Sequence, residues 1–253
     1  MVIANQKGGV GKTTTAVNLA AALGFGGLSV LVVDMDPQGN ASTALGIDHR
    51  QGIRGTYEVL LEGDDMEWHI VESAEAPGVS VLPATIDLAA AELELVSIQG
   101  RERRLADALG VYLAGHRVDY VIFDCPPSLG LLTLNALVAA KEILIPIQCE
   151  YYALEGVTQL MRTINLVKGN LNDSLKLGTV LLTMYDARTR LSTQVSEEVR
   201  RHFPRETLQA VIPRSVRVSE APSYGQTVIT YHAQSTGAQA YLDAAREIAE
   251  RGE

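Results

Sequence analysis

Two cysteines in 253 residues, Cys125 and Cys149, are too few for a disulfide framework. Neither stands in a C-x-x-C pair or near a histidine at metal-ligand spacing, so there is no zinc signature either. That usage fits a reducing compartment, and the chain is expected to be cytoplasmic. Long apolar runs are missing too: Val30 to Val33 and Ile143 to Ile147 fall far below the roughly 18 residues of a membrane span. No basic-then-apolar signal opens the sequence, so no membrane partner is expected. Linkers rich in Pro or Ser, low-complexity runs and internal repeats are likewise absent, which favours one domain over residues 1–253. Positive charge is scarce, with 21 Lys and Arg against 30 Asp and Glu and a net charge of -9. That balance argues against a protein coated all over in nucleic acid but leaves room for one local basic face. What remains is 47% apolar and 20% charged, an ordinary globular balance that rules out a disordered chain.

Short β-branched runs alternate with longer amphipathic stretches, the pattern of βα units around a parallel sheet. The expected strands are Val2–Gln6, Ser29–Asp34, Val79–Pro83, Tyr120–Asp124, Glu142–Gln148, Leu177–Thr183 and Leu208–Ile212. Most are apolar at nearly every position, as required when helices cover both faces of a sheet. The fold class is therefore α/β, a doubly wound and mostly parallel sheet with helices on both sides. The polar interval from Glu62 to Glu75, with the lone Trp68, reads as a surface excursion.

Directly after the first apolar strand and before a helix comes Lys7-Gly8-Gly9-Val10-Gly11-Lys12-Thr13-Thr14. That context is what a phosphate-binding loop requires. Glycines let the backbone turn tightly and aim consecutive N–H groups into one concavity, and the helix start adds its positive dipole end. Lys12 is expected at the β- and γ-phosphates of ATP, the Thr13 hydroxyl on Mg²⁺, and Thr14 at the α-phosphate. A plain glycine turn needs no Lys-Thr pair at this point.

Phosphoryl transfer is mostly positioning and charge compensation around the metal, so carboxylates should follow nearby strands. Tyr120 to Asp124 is an apolar strand that delivers Asp124 to its end, where Pro126 and Pro127 stop it. Asp124 is expected to hold the metal through water. The second strand ends in Asp34 and Asp36, whose period-two spacing lets both point to one side. Spacing alone does not decide which of them orients the attacking water. Cys125 reads as a small apolar neighbour of Asp124.

The loop K-G-G-x-G-K-T resembles the deviant Walker A sequence of the ParA/MinD ATPases. Gln6 stands where the generic motif has its first glycine, and Lys7 is an extra cation in the loop. Similarity to the chromosomal ParA/Soj group extends over nearly the whole chain. It is carried by Asn5 to Thr15, Asp34-Met35-Asp36-Pro37-Gln38-Gly39-Asn40, Asp124 to Ser128, Thr183 to Thr189 and Ile212 to Pro222. The resemblance implies a homodimer that sandwiches two ATP molecules, with Lys7 crossing to the partner's phosphates. It also assigns Asp36 the catalytic, water-orienting role, with contact to Mg²⁺ through water, and leaves Asp34 a supporting one. Pro213 and Ser215 become contacts to the base, although the family more often has Asn at the second position. The first strand is short for the family, which implies a trimmed start.

Relatives with other tasks fit less well. A nitrogenase-type iron protein needs paired cluster cysteines. A MinD-type regulator ends in a basic amphipathic helix, whereas this sequence ends Ala-Arg-Glu-Ile-Ala-Glu-Arg-Gly-Glu. Larger plasmid partition ATPases place an operator-binding domain before the loop, which here begins at residue 7. A metabolic ATP-using enzyme on the same scaffold would need a small-substrate pocket of which the sequence gives no sign.

From Arg188 to Arg217 seven arginines face three glutamates, an excess of +4 that leaves -13 elsewhere. Charge alone is equally compatible with a solvated helix face. The resemblance turns it toward nonspecific double-stranded DNA, with Arg188, Arg214, Arg217 and Arg246 as candidate phosphate contacts and Arg217 foremost. No aromatic residues interleave these arginines, which argues against stacking on single strands. It further implies a ParB-type centromere-binding partner that stimulates slow ATP hydrolysis, and nucleoid association when ATP is bound.

Overall fold

A computed structural model of the chain describes residues 1–47, 52–151 and 153–252. Its strands are β1 (Val2–Ile3), β2 (Val30–Asp34), β3 (Val71–Glu72), β4 (Val79–Leu82), β5 (Tyr120–Asp124), β6 (Glu142–Gln148), β7 (Lys176–Tyr185) and β8 (Thr207–Pro213). The helices are α1 (Lys12–Phe25), α2 (Asn40–Ala44), α3 (Thr56–Leu61), α4 (Leu88–Glu94), α5 (Arg104–Gly115), α6 (Leu131–Ala139), α7 (Glu155–Asn170), α8 (Arg190–His202), α9 (Val216–Glu220), α10 (Val228–Tyr231) and α11 (Thr236–Gly252).

The strands form one sheet in the order β3-β4-β2-β5-β1-β6-β7-β8, parallel throughout except for the β3–β4 pair. Successive side chains along a strand leave opposite faces, so each strand feeds two cores. Leu31 and Val33 of β2 join Ile143, Ile145 and Ile147 of β6 on the face covered by α3 to α8. Val30, Val32 and Leu144 point to the other face, under α1, α2 and α9 to α11. Burial on both sides is why these strands are apolar at almost every position.

Three features depart from the sequence reading. β1 stops at Ile3 because Asn5 begins the loop: its Nδ2 donates to the Pro146 carbonyl at 2.8 Å and its Oδ1 accepts the Lys7 N–H at 3.0 Å. The polar interval contains β3, only two residues long, both exposed and antiparallel to β4. Four helices of four to six residues, α2, α3, α9 and α10, are too short to show a helical period.

The outer edge of β8 is covered by side chains of α11. The Glu247 carboxylate accepts the Gln209 and Ala210 N–H groups, and Arg251 donates to the Glu206 and Thr207 carbonyls. An edge so occupied cannot template pairing with another strand.

Candidate nucleotide site

Parallel strands deliver all their carboxyl ends to one rim of the sheet, where α/β proteins place ligands. Register fixes which groups meet there: β5 lies between β1 and β2, with Ile3 and Asp34 each opposite Asp124. The loop after β1 therefore emerges beside the carboxylates that end β5 and β2.

Within that loop Gly9 has φ 72° and Gly11 φ 88°, left-handed values that favour glycine. Gly8 needs no such φ, and a side chain there would meet nothing within 4 Å. Its smallness leaves the backbone open to close approach. Val10 is buried and its carbonyl accepts the Thr183 hydroxyl at 2.8 Å, which ties the loop to β7. Gly11 is the N-cap of α1 and offers no side-chain cap, so the first N–H groups of the helix keep their capacity for an anion.

Lys12 is buried, with Nζ 3.4 Å from the Lys7 carbonyl. Desolvation lowers its pKa, opposed by the nearby carboxylates of Asp124 and Asp36. Lys7 is exposed, and among the described residues its ammonium has no ion-pair partner. Thr13 and Thr14 are half-buried on the first turn of α1.

The three aspartates differ in what they touch. Asp34 is fully buried and its oxygens are committed: Oδ1 accepts the Asp36 N–H at 3.1 Å, while Oδ2 accepts the Ser42 N–H at 2.9 Å and hydroxyl at 2.7 Å. It fastens the loop between β2 and α2, and burial holds its pKa up at about 6. Asp36 is half-buried, with a single engagement at the Gln38 N–H, 3.0 Å from Oδ1. Asp124 is fully buried and neither oxygen has a hydrogen-bond partner. Desolvation first, then the charges of Asp34 and Asp36, push its pKa well above the carboxylate range; Thr13, close by but short of a full hydrogen bond, and Lys12 pull it down.

A buried carboxylate without a partner is costly, and its presence calls for a cation or bound water. One carboxylate beside one threonine hydroxyl suits Mg²⁺, which keeps several waters and relies on substrate phosphates for the rest of its shell. The Cys125 thiol is buried and pushed up in pKa by desolvation and by Asp124, which makes it inert.

A cavity of about 310 Å³ continues from the loop, bounded by Gly11 and Thr14 on one side and by Met184, Pro213 and Ser215 on the other. Ser215 is the N-cap of α9 yet makes no side-chain cap bond, so its hydroxyl remains available to the cavity. Two residues to which the sequence assigns no site role complete the wall. Met184 has φ 51°, the one positive value for a non-glycine residue among those described. Such strain persists where the surroundings over-determine it, often at ligand sites. Tyr241 of α11 is buried, with its hydroxyl 3.5 Å from that of Thr15.

Each candidate arginine stands beside a carboxylate. Arg188 grips Asp186 through Nε at 2.9 Å and Nη2 at 2.8 Å, Arg214 meets Glu150 at 2.5 Å, Arg217 meets Glu220 at 3.2 Å and Arg246 meets Asp243 at 3.4 Å. The side-chain and backbone hydrogen bonds from Arg188 hold the Asp186 pKa down at about 2, and the charge of Arg214 adds a smaller pull. Arg217 and Arg246 sit apart on α9 and α11. The +4 excess is thus a property of the linear stretch, because Asp186 lies just before it and Glu150 arrives from another part of the chain. The four arginine side chains are each more than half exposed, and ion pairs of such exposed groups contribute little to stability unless, as for Arg188 on Asp186, they are bidentate.

Comparison with known proteins agrees with this geometry. The profile of a family described as an AAA domain matches residues 1–177. The Bacillus subtilis sporulation initiation inhibitor protein Soj is 51% identical over 252 residues, covering 100% of this chain and 98% of that protein. The Caulobacter vibrioides chromosome partitioning protein ParA is 52% identical over 254 residues, covering 99% and 94%. A solved structure of cobyrinic acid a,c-diamide synthase from Mycobacterium smegmatis, with bound ATP analog and magnesium, is 41% identical with a TM-score of 0.85, covering 99% of this chain and 94% of that one. Among the described residues no helix is long and apolar enough to cross a membrane. With half its residues identical to Soj and ParA over essentially full length, on a P-loop α/β sheet, the chain belongs to the ParA/Soj family of chromosome-partitioning ATPases.

Proposed function

We propose that the chain, as one domain over residues 1–253, is an ATP-dependent switch for DNA segregation in the cytoplasm. Two subunits sandwich two ATP molecules, the dimer binds DNA without sequence preference and gathers on the nucleoid, and hydrolysis stimulated by a ParB-type partner releases it. The observation that carries this reading is the buried Asp124 carboxylate without a partner, beside Lys12, Thr13 and the uncapped start of α1.

Mg²⁺ bound with ATP supplies charge compensation at the β- and γ-phosphates. Backbone N–H groups from Gly8 to Thr14 cradle the phosphates, Lys12 neutralises the β- and γ-oxygens, and the Thr14 hydroxyl meets the α-phosphate. Thr13 would ligate the metal directly, and Asp124 and Asp36 would hold it through water. Asp36 orients the attacking water, because its carboxylate is engaged only once whereas that of Asp34 is spent on Ser42. Pro213 and Ser215 hold the base. Lys7 reaches the partner subunit's phosphates, and Arg188, Arg214, Arg217 and Arg246 exchange their carboxylates for DNA phosphates. Switching follows because the γ-phosphate holds together loops and an interface that relax after cleavage.

Asp36→Ala tests the assignment of the water. The variant should keep ATP and Mg²⁺, accumulate as an ATP-bound dimer and lose turnover by at least about a hundredfold. Light scattering and phosphate release read both; turnover at the wild-type rate would move the role to another group. The name of the Mycobacterium smegmatis relative supports a second, metabolic reading, in which turnover would depend on a small-molecule acceptor and not on dimerisation.

A further inference from the structure

The basic arginines lie toward the β7–β8 side of the sheet, and the opposite, β3–β4 side has the reverse character. Residues 55–100 contain ten Asp and Glu and no Lys or Arg, one third of all the acids in the chain. Exposed large apolar side chains concentrate in the same stretch: Trp68, Val71, Ile86, Leu93 and Val96 are all at least 45% exposed. Arg54, Arg101, Arg103 and Arg104 flank the stretch, and Arg54 reaches Glu58, Glu62 and Asp64, so the acid excess is local; acid beside exposed apolar surface is still the pattern of a recognition face.

One part of this face has a definite shape. α3, the turn at Met66–Trp68 and the middle of α5 enclose a groove of about 460 Å³. Val59, Met66 and Ala108 line it, Trp68 and Val111 stand at its rim 72% and 67% exposed, and Asp64, Asp65 and Asp107 supply charge. Arg104 also borders the groove, but its guanidinium is spent on the Leu60 and Leu61 carbonyls at 2.7 and 3.3 Å. Asp64 bonds to His69 and Arg54, while Asp107 is 71% exposed with Arg103 no nearer than 3.9 Å.

We infer that this groove is a docking site for a cationic amphipathic segment of a protein partner, which seats one large apolar side chain between Trp68 and Val111 and lays Lys or Arg against Asp64, Asp65 and Asp107. Aromatic side chains at a rim give large contact area at low entropic cost, and the acids select the sign of the partner. Nucleic acid and anionic lipid are repelled by the same charges. The groove shares no residue with the nucleotide site, so this inference stands apart from the switch reading.

Trp68 is the only tryptophan, so its emission reports on this groove alone. The full chain is titrated at low salt with a peptide of about 18 residues carrying Leu at i, i+3, i+4 and i+7 spacing and Lys elsewhere. Two control peptides replace Lys by Glu or scramble the Leu positions. The Lys peptide should shift Trp68 emission to the blue and saturate, and each control should bind at least about tenfold more weakly. The double variant Asp107→Lys, Val111→Lys, on an exposed helix face that lysine suits, should weaken the Lys peptide by a similar factor while ATP-dependent dimerisation stays at the wild-type level. An unmoved Trp68 emission, equal binding of the scrambled peptide, or wild-type binding by the double variant would overturn the inference.

Discussion

Asp124→Asn should make the nucleotide-free protein more stable and the nucleotide-bound state unattainable. Asn keeps the shape of Asp while removing a charge that is fully buried and has no hydrogen-bond partner. Its melting temperature without nucleotide at pH 7 should rise by on the order of 5 °C, since about 1 kcal/mol moves a chain of this size by roughly 2–4 °C. Addition of Mg²⁺ and ATP should raise the wild-type melting temperature and leave that of the variant unchanged. The pH dependence has a definite sign. Asp34 and Asp124 are raised in the folded state, Asp34 from 3.8 to about 6, so over that interval the native chain binds more protons than the unfolded one. Stability then falls as pH rises through that window, and the gain from Asp124→Asn should be larger at pH 7 than at pH 4.5. A less stable variant with the same pH profile as wild type would mean that Asp124 is compensated within the protein. Stability sacrificed at one residue in this way is expected of a functional site.

Lys7→Ala should separate nucleotide binding from dimerisation. The backbone of Lys7 does the local work, with its N–H on Asn5 and its carbonyl toward Lys12 Nζ, and both survive the substitution. The exposed ammonium has no ion-pair partner among the described residues and contributes little to the isolated chain. Its charge becomes valuable where a second subunit brings phosphates to it, in a site from which water is excluded. ATP affinity of the variant should therefore stay within about threefold of wild type, a difference under 1 kcal/mol. Light scattering with Mg²⁺ and ATP should find a monomer, and turnover should drop on the order of a hundredfold. A variant that dimerises normally would show that Lys7 serves its own subunit.

Legibility in the sequence followed how local each requirement is. Phosphate binding needs several residue types in one contiguous loop, so Lys7 to Thr14 could be read directly, as could Asp124 at the end of its strand. Asp34 and Asp36 could not be told apart by spacing, because the difference lies in Ser42, which takes up Asp34 and leaves Asp36 with one light engagement. The cavity beside the loop draws Met184, Ser215 and Tyr241 from three distant segments; Met184 falls in the Thr183 to Thr189 segment of the resemblance but has no role assigned there, and Tyr241 carries no motif. Charge was the least legible quantity. Counting along the chain gave a basic stretch, whereas folding sets Glu150 against Arg214 across 64 positions and Asp186 against Arg188. The α/β alternation emerged correctly because strands buried on both faces are distinctive, while β3, two exposed residues long, has no pattern to read.

The most direct test of the switch is DNA binding measured on one protein preparation with no nucleotide, with ADP and with ATP. Fluorescence anisotropy with two unrelated duplexes, over a series of salt concentrations, gives affinity, sequence preference and phosphate contacts together. Tight binding should appear with ATP alone and be indifferent to sequence. It should weaken steeply with salt, about four phosphate contacts per dimer giving a log–log slope near -3.6. Equal affinity in all three nucleotide states, or a salt-insensitive preference for one duplex, would contradict the account.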